Sequence, residues 1–466
     1  MKNETRIDLD RRTFLKGGSF ASLMMLMGGV PILAGDPEPP AETPADGTTD
    51  YKGEATPVNL AVVGCGPWAR ELLKTLALIP HGPVVALCDP YPSALRRAGD
   101  LAPKAQKYDD FQKVLADPAV QAVIVATPSH LHRDIAIPAL KAGKHVYCEA
   151  PMATTLEDAV AIAKAARENP KVHFQVGLQD RADRQIYSLA NFMRSGVLGK
   201  PLKARQQFHK KQSWRLPSPN AEREKAINWR LDRSLSTGLV GELGIHAIDI
   251  ATWYFNARPI AVTGFGSLIQ WKDGRDVPDS VHLLFEYPGG VVLHYEATLG
   301  NSFEAEMGVF YGTDCAIMMR DRRAWMFKEA DAPLLGWEVY ARKDAFYKES
   351  GLVLGAGNTK QETQSKKGTV ADAQVDEKSQ LQYAFEAFLK NADTIQSGVK
   401  DFTENFDASD VPALREYLAG LQKEKTWLAC PGWAEGLESA ATVIQANQAV
   451  LDNKRLVLDP AAFALA

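Results

Sequence analysis

From Val58 onward, short apolar runs alternate with stretches of helical length. Val58 to Val63 reads as a buried strand, and Gly64-Cys65-Gly66-Pro67-Trp68-Ala69 then opens a helix reaching Leu78. Val84 to Cys88 is a second strand ending at Asp89, and Ala122 to Ala126 and His145 to Cys148 are two more. A helix from Leu131 to Ala142 is closed by Gly143, and another from Leu156 to Arg167 leads into a strand from Val172 to Gly177. Strands separated by helices of this length predict a parallel sheet wound on both faces, the doubly wound α/β arrangement.

After Leu198 the pattern changes. Lys203 to Gln212, Ile260 to Gln270, Val281 to Glu286, Val291 to Thr298, Glu304 to Phe310 and Cys315 to Met319 alternate or cluster β-formers. Pro288-Gly289-Gly290 is a hairpin turn between two of these runs. The expectation is an α+β domain with a large, open, mainly antiparallel sheet and a helix from Gly244 to Phe255 inserted early. Gly351 to Asp376, polar and glycine-rich, reads as a long loop. Lys378 to Thr394 and Trp433 to Asn453 read as helices returning to the body.

Length adds a boundary. At 466 residues the chain exceeds one ordinary core. The division expected is a leader at 1–34, a linker at 35–57, a nucleotide-type α/β domain at 58–182 and a second domain at 183–466. In the leader, Arg11-Arg12 and Lys16 precede a small-residue and apolar run from Gly17 to Ala34, the layout of a twin-arginine export signal. Glycines and a proline make that run weak as a permanent membrane span, so export to the periplasm or beyond, without a lasting anchor, is expected. Gly35 to Pro57 is a solvated tether. A net charge of −4 with both signs interspersed gives no nucleic-acid footprint. Five cysteines without CxxC spacing indicate neither a disulfide framework nor a zinc site.

Gly64-x-Gly66-x-x-Ala69 fits the dinucleotide fingerprint. The first glycine permits the tight turn, the second lets a pyrophosphate approach the backbone, and the small third residue packs helix on strand. The helix start, with Pro67 and Trp68, offers unpaired N–H groups to an anion. Asp89 at the end of the next strand would accept a ribose diol. With Pro90 and Tyr91 following it and no adjacent cation, NAD is expected rather than NADP.

Ala126-Thr127-Pro128-Ser129-His130-Leu131-His132, then Ala142-Gly143-Lys144-His145-Val146-Tyr147-Cys148-Glu149, and later Gly244-Ile245-His246-Ala247-Ile248-Asp249, resemble the Gfo/Idh/MocA oxidoreductase family. The resemblance implies a Rossmann domain joined to an open-sheet domain, a nicotinamide cofactor, and sugar or polyol substrates. It implies that Thr127, Pro128 and His132 line the cofactor and that Glu149 ends a strand beside the nicotinamide ribose. Where the family usually has Glu-Lys-Pro, this chain has Glu149-Ala150-Pro151, so the lysine that commonly relays the substrate proton is missing.

His246 is the acid/base candidate in its place. The family pattern puts an acid four residues earlier, here Glu242; four-residue spacing on a helix would turn both side chains to one cavity, with Asp249 orienting the ring. The pair lacks a compact third ligand, so no metal is expected there. Gln179, Arg181, Trp214, Arg215 and Asp249 are candidate substrate contacts, and His209, Lys210, Lys211, Asn228 and Trp229 are weaker ones. Three functions stay open at this point: an exported NAD(H)-dependent oxidoreductase with a retained cofactor, an NAD-dependent redox-neutral glycosidase, and a non-catalytic sugar-binding or assembly protein. The open sheet suggests a homo-oligomer.

Overall fold

In the computed structural model, residues 56–354 and 378–465 are described, apart from 219, 339–340, 342, 347–348, 408 and 425. The expected leader, and the expected linker up to residue 55, lie outside the described residues.

The first sheet has β1 (Leu60–Val63), β2 (Val84–Cys88), β3 (Gln106–Tyr108), β4 (Ala122–Val125), β5 (His145–Cys148) and β6 (Phe174–Val176) in the order β3-β2-β1-β4-β5-β6, every pair parallel. Continuous apolar runs such as Leu60-Ala61-Val62-Val63 are what a sheet covered on both faces requires. Ala61 and Val63 point to one face, beneath α3 (Phe111–Ala116), α4 (His132–Lys141) and α5 (Leu156–Glu168). Leu60 and Val62 point to the other, beneath α1 (Pro67–Leu76) and α2 (Pro92–Gly99). Strand order reverses between β1 and β4, where open sheets of this kind bind ligands.

The chain leaves through α6 (Arg184–Phe192) into β7 (Pro201–His209), then α7 (Ala221–Ile227), α8 (Gly238–Gly241) and α9 (Gly244–Phe255). The strands β8 (Ala261–Ser267), β9 (Ser280–Glu286), β10 (Val292–Thr298), β11 (Glu306–Gly312), β12 (Cys315–Arg320), β13 (Arg323–Lys328), β14 (Lys343–Phe346), β15 (Glu349–Leu354) and, near the end of the chain, β16 (Arg455–Val457) join β7 in one ten-stranded sheet. Only its β7–β10 pair is parallel; its other neighbours run antiparallel. Along β10, Leu293, Tyr295 and Ala297 face inward under α9, while His294 and Glu296 face out. Phe255 of α9 seats against Tyr287 and Phe310 at ring distances of 5.1 and 5.7 Å.

Two expectations need correction. The polar stretch beginning at Gly351 is not all loop, because its first residues complete β15. The helix expected to stop at Thr394 is α10 (Gln380–Asn405); its apolar face runs on through Ile395 and Phe402, which pack against Leu414 and Leu418 of α11 (Val411–Leu421). Both α10 and α12 (Trp433–Asp452) return to the first domain. Leu381, Phe385 and Phe388 of α10 complete the apolar layer over Leu60 and Val62, and Tyr147 of β5 meets Phe385 and Phe388 at 5.0 and 5.6 Å. Just before α12, the Pro431 carbonyl accepts the Val176 N–H at 3.0 Å, closing the β6 edge.

Candidate cofactor and active site

Gly64 adopts φ +92°, and a Cβ there would lie 2.6 Å from the Ala126 carbonyl oxygen, so only glycine fits where β1 turns beside β4. At Gly66 an added Cβ would meet nothing within 4 Å. Gly66 caps α1 without a side-chain hydrogen bond, with Pro67 in the first turn. That helix start therefore keeps N–H groups for an incoming anion. Ala69 is fully buried against the strand.

Asp89 is held by two backbone donors, Cys65 N–H and Tyr91 N–H, both at 2.8 Å. Burial raises its pKa despite these donors. Each oxygen keeps a lone pair for a diol. Arg223 of α7 reaches across from the second domain, 4.7 Å from the Tyr91 ring centre and donating to Ser93 Oγ at 2.7 Å.

Just past the ends of β4 and β5, Thr127 Oγ1 and Glu149 Oε1 are buried polar atoms with no hydrogen-bond partner. Buried polar groups are almost always satisfied, so this pair marks a place where a polar ligand belongs. Burial pushes the Glu149 carboxyl up to about 7, against an opposing hydrogen bond from Trp68 and the charge of Arg230. Pro128 leads into the short turn at Ser129–Leu131. His132 differs from the expectation that it lines the cofactor: its ring nitrogens sit 3.1 Å from the Pro151 carbonyl and 3.0 Å from the Thr127 carbonyl. It fixes the backbone around the cradle, and burial lowers its pKa to about 4. The Ala150–Pro151 peptide is cis, with Ala150 partly buried. The glycines, Asp89 and the orphaned oxygens fit a nicotinamide dinucleotide.

Glu242 and His246 do not form the expected pair. Helix α8 ends at Gly241, and Leu243 leaves helical geometry (φ −126°, ψ −47°) before α9 starts, so the two residues do not share one helix face. Glu242 instead accepts from Ser129 Oγ at 3.1 Å and Thr237 Oγ1 at 3.2 Å, with Arg230 Nε at 3.6 Å. The Ser129 bond ties the second domain to the first beside Thr127. The carboxylate facing His246 belongs to Asp180, whose Oδ2 lies 3.6 Å from Nδ1. That nitrogen is buried and has no hydrogen-bond partner. Burial outweighs Glu306 and Asp249 and lowers the His246 pKa. Asp180 accepts from Gln380 Nε2 at 2.6 Å, and burial, with the Asp183 and Asp249 charges adding to it, pushes its carboxyl up to about 7.

Asp249 does not orient the histidine. Its carboxylate is taken by Arg181 through Nε at 2.8 Å and Nη2 at 2.9 Å, and by Ser439 Oγ of α12 at 2.5 Å. This also removes Arg181 from the substrate contacts: it is a packing cation, 5.3 Å from the Trp253 ring centre. Arg215 is likewise engaged, by Glu224 at 2.7 Å and Asp273 at 3.1 Å. Gln179 begins the turn that carries Asp180. Trp214, at φ 64°, stands 6.0 Å from the Arg230 guanidinium, which also lies 4.8 Å from the Trp229 ring. Asn228 is buried and holds the Leu216 backbone. His209 ends β7 on the outward face of the large sheet, in phase with His294 and Glu296. Asp180, Arg230 and Ser129 were missed in the sequence. Asp180 stood next to two residues singled out, but no spacing rule links it to His246.

Residues 58–178 match the family model described as an oxidoreductase family with an NAD-binding Rossmann fold, and residues 187–318 match the GFO/IDH/MocA C-terminal domain. Levoglucosan dehydrogenase of Pseudarthrobacter phenanthrenivorans is 30% identical over 210 residues, 41% of this chain and 52% of that protein. Inositol 2-dehydrogenase of Salmonella typhimurium is 30% identical over 197 residues, 42% of this chain and 54% of the other. The chain thus matches about half the length of these curated relatives. Among solved structures, a levoglucosan dehydrogenase in complex with NADH superposes with a TM-score of 0.62 at 20% identity, covering 87% of this chain and 100% of that one. An aldose-aldose oxidoreductase from Caulobacter crescentus complexed with glycerol gives 0.58 at 20% identity, covering 86% and 100%. These two likenesses show the fold.

Proposed function

The chain belongs to the Gfo/Idh/MocA oxidoreductase family, with an NAD-binding Rossmann domain, and from that premise we propose that it is an exported NAD(H)-dependent oxidoreductase of a sugar or polyol. The observation that carries the reading is the open ground at Gly66 together with two orphaned buried oxygens, Thr127 Oγ1 and Glu149 Oε1, which follow the ends of β4 and β5. The relatives' names supply the substrate class, and Arg11-Arg12 before the apolar run supports twin-arginine export.

NAD, when bound, exchanges a hydride with the carbinol carbon of the substrate. Asp89 would hold the adenosine ribose, and the α1 N-terminus would receive the pyrophosphate. His246, kept neutral by burial, takes the hydroxyl proton at a ring nitrogen, and the Asp180 carboxylate beside Nδ1 stabilises the resulting imidazolium. This dyad does the work for which Ala150 has no titratable group. An exported enzyme of this kind keeps its cofactor and recycles it with a second substrate, and it assembles as a homo-oligomer.

Ala150 is the observation that favours a second reading, a redox-neutral NAD-dependent glycosidase. Mass analysis of nucleotide released from denatured protein, followed by turnover with levoglucosan, inositol and aryl glycosides, separates the readings. Reduction of bound NAD by a free polyol is the expected result. Aglycone release without net reduction would replace the oxidoreductase by the glycosidase, and protein that neither carries nor takes up nicotinamide would end both.

A further inference from the structure

The outward face of the ten-stranded sheet carries chelating side chains that the cofactor cleft does not use. His282 on β9 stands directly across from Glu296 on β10, and His294 precedes Glu296 by two residues on the same face. One ligand atom from each of these three lies within 4.8 Å of the others, and His282 Nδ1 is 3.6 Å from Glu296 Oε2. Strand register brings the set together, which is why no spacing motif announced it.

We propose that His282, His294 and Glu296 form a binding site for a divalent transition cation of the zinc class. Two imidazoles and a carboxylate are a zinc-type donor set that leaves a fourth position to water. Ligand atoms around a tetrahedral zinc are roughly 3.3 Å apart, from bond lengths near 2 Å. The present separations therefore close mainly by turning the exposed His294, with small rotations of the half-buried His282 and Glu296 and without moving the strands.

The surroundings hold the ligands in place. The His282 ring stacks on Phe265, centroids 5.2 Å apart and planes 25° from parallel. Arg205 donates to Glu296 Oε1 at 2.8 Å and leaves Oε2 toward His282. On the far side, His209 Nδ1 donates to the Phe303 carbonyl at 3.0 Å, and its Nε2 stands 4.0 Å from Glu296 Oε1. An anchored ring and an oriented carboxylate are what supporting residues supply at metal sites. Arg205 also limits affinity, because its charge opposes a second cation on the same carboxylate.

The test uses tag-free full-length protein, stripped with a chelator and titrated calorimetrically with zinc chloride. Cobalt(II) chloride provides a visible spectrum that reports a tetrahedral nitrogen and oxygen environment. One equivalent of zinc is expected to bind, with affinity falling by about tenfold or more in His282→Ala and in His294→Ala. Zinc should raise the melting temperature of the wild type and not that of the double variant. These side chains lie outside the core, so both proteins should melt alike without metal. Wild-type protein that takes up no zinc, or a double variant that binds it unchanged, would overturn the proposal. Neither outcome bears on the nicotinamide site, whose nucleotide content is measured separately.

Discussion

Asp180→Asn nearly preserves side-chain volume and an acceptor for Gln380 while deleting the charge that Asp180 carries above about pH 7, 3.6 Å from His246 Nδ1, so the catalytic comparison is made at about pH 8 or above. Two effects of opposite sign follow. For catalysis, His246 loses the anion that stabilises its protonated form, and turnover should fall by about 10²- to 10⁴-fold, the usual worth of positioned acid/base chemistry. For stability, the folded protein holds the Asp180 proton up to about pH 7, whereas an ordinary aspartate loses it near pH 3.8. The folded state thus binds more protons across that interval. Stability is full below about pH 4, falls as the pH rises to about 7, and is level above it. The interval corresponds to at most about 4 kcal/mol, and the neighbouring Asp183 and Asp249 carboxylates, which share in raising the pKa, bring the single-residue effect below that ceiling. The asparagine variant lacks this loss, so its advantage over wild type should grow between pH 4 and 7. Denaturant unfolding at a series of pH values measures the stability arm. Single-turnover absorbance of the bound nicotinamide with a reducing polyol measures the other. A variant that keeps turnover within about threefold of wild type, or that keeps the wild-type slope of stability against pH, would refute the Asp180–His246 pairing.

Gly66→Val places a side chain where nothing now lies within 4 Å and where the backbone is extended. Unfolding free energy should change by no more than about 1 kcal/mol, while nucleotide recovered from the purified protein drops to background; full retention would move the pyrophosphate elsewhere. Asp249→Ala strands the Arg181 guanidinium inside the protein and should cost about 3–5 kcal/mol. Asp249→Asn, which keeps an acceptor, should lose less, and a purely kinetic defect at unchanged stability would restore Asp249 to the active site.

The parallel sheet was legible because strands covered on both faces must be apolar throughout, as in Leu60-Ala61-Val62-Val63 and Ala122-Val123-Ile124-Val125. The short edge strand Gln106–Tyr108, exposed and polar, carries no such signal, and the sequence did not reveal it. The glycine cradle and Asp89 could be read because each position does one job the backbone dictates. The acid/base pair was misassigned for a geometric reason. A spacing of four pairs residues only on an unbroken helix, and the break at Leu243 sends Glu242 to Ser129 and leaves His246 facing Asp180. Arg181 and Asp249 lay within the right motifs, yet what they bind is each other. Contacts between distant segments carry no local pattern.

The return of α10 and α12 to the first domain has a consequence for biogenesis. The layer over Leu60 and Val62 is completed by Leu381, Phe385 and Phe388, which the ribosome makes long after β1 to β6. The Val176 edge waits likewise for Pro431. The nucleotide-binding half therefore cannot mature co-translationally by itself. Until the later segment arrives, the apolar surface over Leu60 and Val62 stays uncovered, so the earliest-made part of the polypeptide is finished only when nearly all of it has been synthesised.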